Sequence, residues 1–497
     1  MVNYGVSRGC ETCRKRRKKC DEKRPMCNLC LKSGNVCLGY RTDDELYYRH
    51  SSLTKVPVPS QPSSIGDIFI TENALGFFID KYVVHSHDSR ISRGFLGGLP
   101  SLLARTHPSS DVVKAVEIVA WATLGNQLTC FEILERAKRQ YVGLLSSFQI
   151  FLQSCNHTSS TAQALVIAFL LGLYEIVSNT DPAPDQEQQQ HITHVRGVSA
   201  LLLSPDSPFD FLSSTHMFEV ADPLIIKEPL EQNDIPGVLS SAKSNHSAHN
   251  LDFILVECHP LFARAQVQVK DPSTSPGELQ YIFEQCLEKE AAFLRWYQNR
   301  DSAWKAKFLA YITQGDTEAS QCPFVWPGPV HEYFDVYVAA VMNTYRKTYL
   351  MLLAVLKHLA PRVPTPVQPE IMSSWEQQTT ILIDDILASI PFHLTEKIQD
   401  YRHTIVSPAN QMTIGRPVGG LLLLHPLYVL STLSIVPPHI KSYAGRCLSY
   451  IGKYMGIGQG TLMSKKCANL PFQDMAEGHV IIWAGMIIHP VTWHGEL

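Results

Sequence analysis

The sequence predicts a small cysteine-rich module followed by a large all-α helical domain, and three observations carry the prediction. Six of the thirteen cysteines fall within residues 10–37. A Ser- and Pro-rich stretch, "RTDDELYYRHSSLTKVPVPSQPSS", follows from Arg41. Beyond residue 66, apolar residues recur at three- and four-residue spacing in long segments, with few alternating runs. A chain of 497 residues that is 45% hydrophobic and 18% charged has the material for a sizeable core. The opening "MVNYGVSRGC" lacks the apolar run of a secretory signal, and no apolar stretch reaches the roughly 18 residues that span a bilayer. Those features predict an intracellular protein with no membrane partner, in which clustered cysteines are metal ligands rather than disulfides.

In the N-terminal module Cys10, Cys13, Cys20, Cys27, Cys30 and Cys37 read C-x2-C-x6-C twice, each cysteine of the first half recurring 17 positions later. Two thiolates separated by two residues reach one metal from a tight turn, and zinc takes four such ligands tetrahedrally. One ion would leave two cysteines idle. Two ions need eight ligand positions, which six sulfurs fill only if two of them bridge. By the repeat, the bridging pair consists of equivalent positions, one from each half, and the spacing leaves open which. Met26, Leu29, Leu31 and Val36 are the sizeable apolar residues of the segment, too few to fold it by burial. The sequence therefore predicts a metal-stabilised zinc cluster module that folds on its ions.

Charge then separates the halves of the repeat. Between the second and third cysteines stand Arg14, Lys15, Arg16, Arg17, Lys18 and Lys19, whereas the matching spacer at 31–36 is "LKSGNV". Residues 1–41 carry eleven Lys or Arg against three acids, net +8, and the other 456 residues carry 32 against 43, net −11. A compact basic head on an acidic body predicts a polyanionic partner for the head. A short helix starting near Glu11 and running through the basic spacer fits the major groove of double-stranded DNA, where Arg or Lys donates to guanine O6 and N7 and its neighbours neutralise phosphates. The plainer reading, a bare nuclear-import or polyanion-binding run, loses ground once the run is fixed between metal ligands.

The spacing resembles that of the fungal binuclear zinc cluster (Zn(2)-Cys(6)) transcription factors. The resemblance implies two Zn2+ ions bridged by Cys10 and Cys27, one ion taking Cys10, Cys13, Cys20 and Cys27 and the other Cys10, Cys27, Cys30 and Cys37. It implies base contacts to CGG-like triplets at Arg16 and Arg17, positions where the family usually has Lys, and it matches Pro25 to the proline of the loop that joins the two halves.

The segment after the module predicts a flexible linker over 43–66, because Pro57, Pro59 and Pro62 oppose any helix. Leu46 and Leu53 supply a single heptad step, which is no zipper, so a homodimer would have to form through the body or on the DNA itself. Helices are expected over 111–128, 131–153, 161–178, 191–203, 276–299, 329–359, 373–390, 417–433 and 440–455. Residues 204–250, rich in Ser, Pro, Asp and Asn, predict a disordered insert, and "DPAPDQEQQQ" at 181–190 an exposed connection. Within the body, "YEIVS" (174–178) and "HITHVRGVSALLL" (191–203) resemble the E…W-x-x-H-x-x-G-x-x-x-L element of the fungal-specific transcription factor domain. His194, Gly197 and Leu201 are in place there and His191 stands at the usual Trp. "NTYRKTYLMLLAVL" (343–356), "DDILASIPFHL" (384–394) and "GRPVGGLLLLHPLYV" (415–429) resemble its later elements. The resemblance thus extends over a regulatory domain at 67–497, beyond a DNA-binding module at 1–42.

Enzyme-like fragments do not assemble into a site. "GIGQG" (456–460) follows a helix rather than a strand and is expected to terminate it. His85 and His87 of "HSHD", two apart on a helix, would face different ways. "GVSAL" (197–201) lacks the closing glycine of a nucleophile elbow, and no H-E-x-x-H occurs. The cysteines at 130, 155, 258, 286, 322, 447 and 467 are scattered and expected to be small core residues. Tyr345 and Arg346 invite an effector pocket, but core packing with a snorkelling Arg is the stronger expectation. The reading is a non-enzyme: a nuclear, sequence-specific DNA-binding regulator of RNA polymerase II transcription in a fungus, its body working through effectors or coregulators. The rival is a zinc module that tethers protein or RNA to a small-molecule-sensing or enzymatic helical body.

Overall fold

A computed structural model describes residues 10, 12–13, 16, 18–23, 27–33, 73–88, 91–92, 94–153, 158–178, 194, 197, 251–271, 273–320, 322–401, 403 and 414–465. The stretches expected as linker (43–66), connection (181–190) and insert (204–250) lie outside the described residues, as does the expected helix 191–203 apart from His194 and Gly197, both of them helical. The chain divides into two compact units, Met1–Ile68 and Phe69–Leu497.

In the first unit, helix α1 (Asn28–Lys32) begins at Cys27, whose side chain accepts from the Cys30 N–H as the helix cap. Thr12 and Cys13 form the equivalent helical start in the first half. The two halves repeat each other bond for bond: Arg16 N–H donates to Thr12 O at 3.2 Å, and 17 residues on, Ser33 N–H donates to Leu29 O at 3.1 Å.

The second unit is helical, and each helix has a visible local cause. Helix α2 (Ala74–Tyr82) and the short α3 (Leu99–Arg105) precede α4 (Asp111–Leu128), which Ser110 caps by accepting from Val113 N–H. It ends at Thr129 in the left-handed region, φ 53°, and α5 (Phe131–Gln153) turns back along it. Helices α6 (Thr158–Ser178) and α7 (Leu251–Lys270) follow, and α7 runs through Pro260. Next comes α8 (Pro276–Gln298), opened by Pro276 and a reciprocal Ser275/Glu278 capping box. A two-stranded antiparallel hairpin, β1 (Lys307–Ile312) and β2 (Gly328–Glu332), carries the short α9 (Gln314–Ala319) between its strands, with Lys307 opposite Glu332 and Ile312 opposite Gly328. The sequence expectation ran a single helix over 329–359. The structure splits it: Val330, Tyr333 and Phe334 continue the helical spacing of Tyr337 backwards although they precede the helix, with Val330 in β2, and Asp335 caps the true helix by accepting from Val338 N–H at 2.9 Å.

That helix, α10 (Val336–Leu359), is the axis of the body and is buried on almost every side by α7, α8, α11 (Pro369–Leu394) and α12 (Pro417–Thr432). Helix α12 is apolar all round, and Gly419 lets it lie against the end of α11: a Cβ there would meet His393 O at 2.1 Å. Helices α13 (Pro438–Tyr454) and α14 (Gly458–Lys465) complete the fold. Gly456, at φ +78° and against Thr123 O, follows the end of α13 as expected for "GIGQG", whose last three residues already open α14. No helix among the described residues is long and apolar enough to cross a membrane.

Candidate metal centre and nucleic-acid interface

Four of the six predicted ligands converge. The sulfurs of Cys10, Cys13, Cys27 and Cys30 all lie within 4.8 Å of one another, and all four residues are at most 2% exposed. Cys10 Sγ is 3.6 Å from Cys27 Sγ and 3.8 Å from Cys30 Sγ, and Cys13 Sγ is 3.6 Å from Cys27 Sγ and 3.8 Å from Cys30 Sγ. A tetrahedral zinc with sulfurs at about 2.3 Å has ligand-to-ligand edges of about 3.8 Å, so these spacings fit thiolates gathered on a cation. They do not fit disulfides, and the described cysteines are all free. Cys20 comes within 4.8 Å of Cys27 in a second group with Asp21, and accepts from the Cys10 N–H at 3.4 Å. Cys37 lies outside the described residues.

Local backbone geometry sets this convergence. Cys13 N–H donates to Cys10 Sγ at 3.4 Å and Cys30 N–H to Cys27 Sγ at 3.3 Å, the same turn in each half. Such N–H···S bonds favour the thiolate and aim both sulfurs of a C-x2-C pair at one point. Asp21 ties the loop between the halves to α1 by accepting from Asn28 N–H at 3.2 Å. Without a cation, burial pushes the Cys27 thiol up to about 12 and raises Cys13 as well, although thiol contacts within the cluster partly oppose the shift at Cys13. Buried thiols packed on thiols are therefore poor acids on their own, and a divalent ion is what lets them ionise.

Of the six basic residues proposed to meet DNA, Arg16, Lys18 and Lys19 are described, and all three are exposed. Arg14, Lys15 and Arg17 lie outside the described residues, as does Pro25. Arg16 also reaches across the module: its Nη1 donates to Ser33 Oγ at 3.3 Å. Sequence reading gave Ser33 no role. The available signal was the repeat itself, since 16 and 33 are 17 apart.

The body holds two other groups that the sequence singled out. Glu175 and His194, from the E…H-x-x-G element, meet at Tyr141, whose hydroxyl bonds to the Glu175 carboxylate and lies 2.9 Å from His194 Nε2. Tyr141 also stacks on Tyr174, with centroids 4.2 Å apart. Burial first, then the Glu175 charge, push its phenol far up, so it stays a donor. Tyr141 had looked like any core residue of its helix.

Arg346 does not snorkel. It is 1% exposed and points inward, donating to Tyr333 Oη at 2.8 Å and Asn343 Oδ1 at 2.9 Å and pairing with Asp385 at 3.3 Å. The expectation failed because α10 has no solvent face for a long side chain to reach. Tyr345 packs in an aromatic cluster with Phe293, Trp296 and Tyr349. Next to Arg346 on α10, Lys347 Nζ sits 2.6 Å from His425 Nδ1, and burial holds both groups well below their usual pKa. Of the scattered cysteines, Cys258, Cys286 and Cys447 are buried, while Cys130 and Cys322 are half-buried and 155 and 467 lie outside the described residues. Burial raises the Cys286 and Cys447 thiols to about 12, which leaves them inert as core residues. His85 and His87 lie beyond the end of α2 rather than on a helix, so the facing argument does not apply to them; no metal-binding group among the described residues includes either.

Residues 8–45 match the family model of the fungal Zn(2)-Cys(6) binuclear cluster domain. A transcription factor of Emericella nidulans, dbaG, is 31% identical over 435 residues, which is 87% of this chain and 100% of the relative. This chain belongs to the fungal Zn(2)-Cys(6) binuclear cluster transcription factors. White-opaque regulator 2 of Candida albicans is 61% identical over 41 residues, 8% of this chain and 9% of its own. A transcriptional regulatory protein of Schizosaccharomyces pombe is 44% identical over 52 residues, 10% of each chain. No solved structure matches. The zinc cluster factor is thus a fungal transcriptional regulator whose head takes two zinc ions. When bound, the ions would supply the positive charge that lets the gathered thiols of Cys10, Cys13, Cys27 and Cys30 ionise.

Proposed function

We propose that this zinc cluster factor is a nuclear, sequence-specific regulator of RNA polymerase II transcription that reads CGG-like triplets in the major groove of double-stranded DNA. In this reading Cys10 and Cys27 bridge the two ions, with Cys13 and Cys20 completing one site and Cys30 and Cys37 the other. Arg16 and Arg17 donate to guanine, while Arg14, Lys15, Lys18 and Lys19 neutralise phosphates. The module occupies 1–42, the linker 43–66 and a fungal-specific transcription factor domain 67–497, which engages coregulators and, in a homodimer, its copy. In this reading the body is regulatory and not enzymatic.

The observation that carries this reading is the one-sidedness of a symmetric module. Two halves with the same turns and the same N–H···S bonds differ in that only the first presents a run of exposed cations. The test is selection of bound duplexes from a random pool, with zinc measured on the same preparation. Guanine-rich triplets and two zinc ions per chain are expected, with a log–log salt slope near −4.5 for about five neutralised phosphates. Arg17→Ala should weaken the selected site more than scrambled DNA. Equal weakening would make Arg17 a phosphate contact, and RNA competing as well as the selected duplex would favour the tethering alternative.

A further inference from the structure

Ser33, in the second half, bonds to the proposed reading surface of the first. It closes α1, a helix fixed at its start by Cys27 and through its middle by Cys30. The Ser33 hydroxyl donates to Leu29 O at 2.7 Å, with Cys30 O at 3.3 Å, and this orients its oxygen lone pairs. Arg16 Nη1 donates to that oxygen at 3.3 Å, and both residues are exposed. A guanidinium carries five N–H donors, so one bond to Ser33 leaves enough for a parallel pair to guanine O6 and N7. An arginine on an open surface otherwise samples many rotamers, and ordering it on binding weakens the complex.

We infer that Ser33 is a positioning residue for base recognition, its hydroxyl holding the Arg16 guanidinium in the orientation in which it meets guanine. The inference rests on the DNA reading above and deepens it. It also gives the second, weakly charged half of the repeat a part in specificity: the metal-held α1 becomes the rigid post to which the reading arginine is tied.

The test uses the full zinc-loaded chain and a set of duplexes: the selected site and variants of it in which each guanine of the triplet is changed in turn. Ser33→Ala should reduce the preference for one guanine about three- to tenfold, the range expected for losing the pre-ordering of one long side chain. Zinc content and salt slope should not change. Ser33→Thr keeps the hydroxyl and should keep the preference. On an Arg16→Ala background, Ser33→Ala should add nothing. An unchanged preference in Ser33→Ala, an equal loss on every duplex, additivity with Arg16→Ala, or loss of zinc would each overturn the inference, the last by making Ser33 a brace of the fold. If the unaltered protein showed no guanine preference, the DNA reading would fall and this inference with it. If the preference is present and indifferent to Ser33, this inference falls alone.

Discussion

Cys27 in the head and Trp296 in the body are equally buried, both 0% exposed, yet they are buried for opposite reasons. Around Trp296 the chain gathers apolar and aromatic surface, Phe293, Tyr345 and Tyr349 among it, and the burial itself stabilises the fold. Around Cys27 it gathers other thiols, with Leu29 the half-buried apolar neighbour packed on them. Burying ionisable sulfur among sulfur costs free energy until a cation is shared between them. The same contrast holds for the basic groups: Arg346 and Lys347 in the body bond to Asn343, Asp385 and His425 of the protein, whereas the thiols of the head call for ions drawn from solution. One region carries its own stabilisation in the sequence and the other borrows it.

Removing the borrowed part should produce the largest difference between the regions. Chelation, or Cys27→Ser, is expected to unfold the head and abolish DNA binding, because structural zinc of this kind contributes an apparent 10–16 kcal/mol, about the whole folding free energy of so small a unit. The helical circular dichroism of the body should stay. A body that melted with the head would break the comparison.

A smaller effect, confined to the body, comes from pH. His393, at the end of α11, sits among Asn343, the Gly419 carbonyl and the nearby Arg346 charge. Burial lowers its pKa to about 4, against the carbonyl, which raises it. The native state keeps His393 neutral while the unfolded chain takes a proton below about 6.5. Stability is therefore full above that value and falls as pH drops towards 4, by about 3 kcal/mol for this group. His425 and His331, lowered likewise, steepen the same limb. Urea unfolding of the body at several pH values checks this, and His393→Asn should flatten part of the slope.

The smallest expected effect is at a helix end. Ser275→Ala removes the capping box of α8 and should cost about 1 kcal/mol of body stability with zinc content untouched. A loss of zinc or DNA binding in that variant would mean that the two regions are coupled.

How far the sequence could be read follows the same division. The six cysteines and one-sided charge gave the head its chemistry, because metal spacing and charge are local properties. Helices α4 and α5 could be placed from the apolar periodicity of 111–128 and 131–153, which matches their observed bounds. The hairpin at 307–332 was missed because Val330, Tyr333 and Tyr337 fall at helical intervals, and α7 was missed because Pro260 reads as a stop in a helix whose packing tolerates it. Contacts between distant residues left no local signal: Arg346 with Asp385, Lys347 with His425, and Tyr141 with Glu175 and His194.

The most direct test follows zinc, sequence preference and helical signal together while a chelator is titrated into the full-length chain. The proposed reading predicts that two zinc ions leave, that guanine-rich preference goes with them, and that the helices of the body remain. Retention of that preference by protein stripped of zinc would contradict the account.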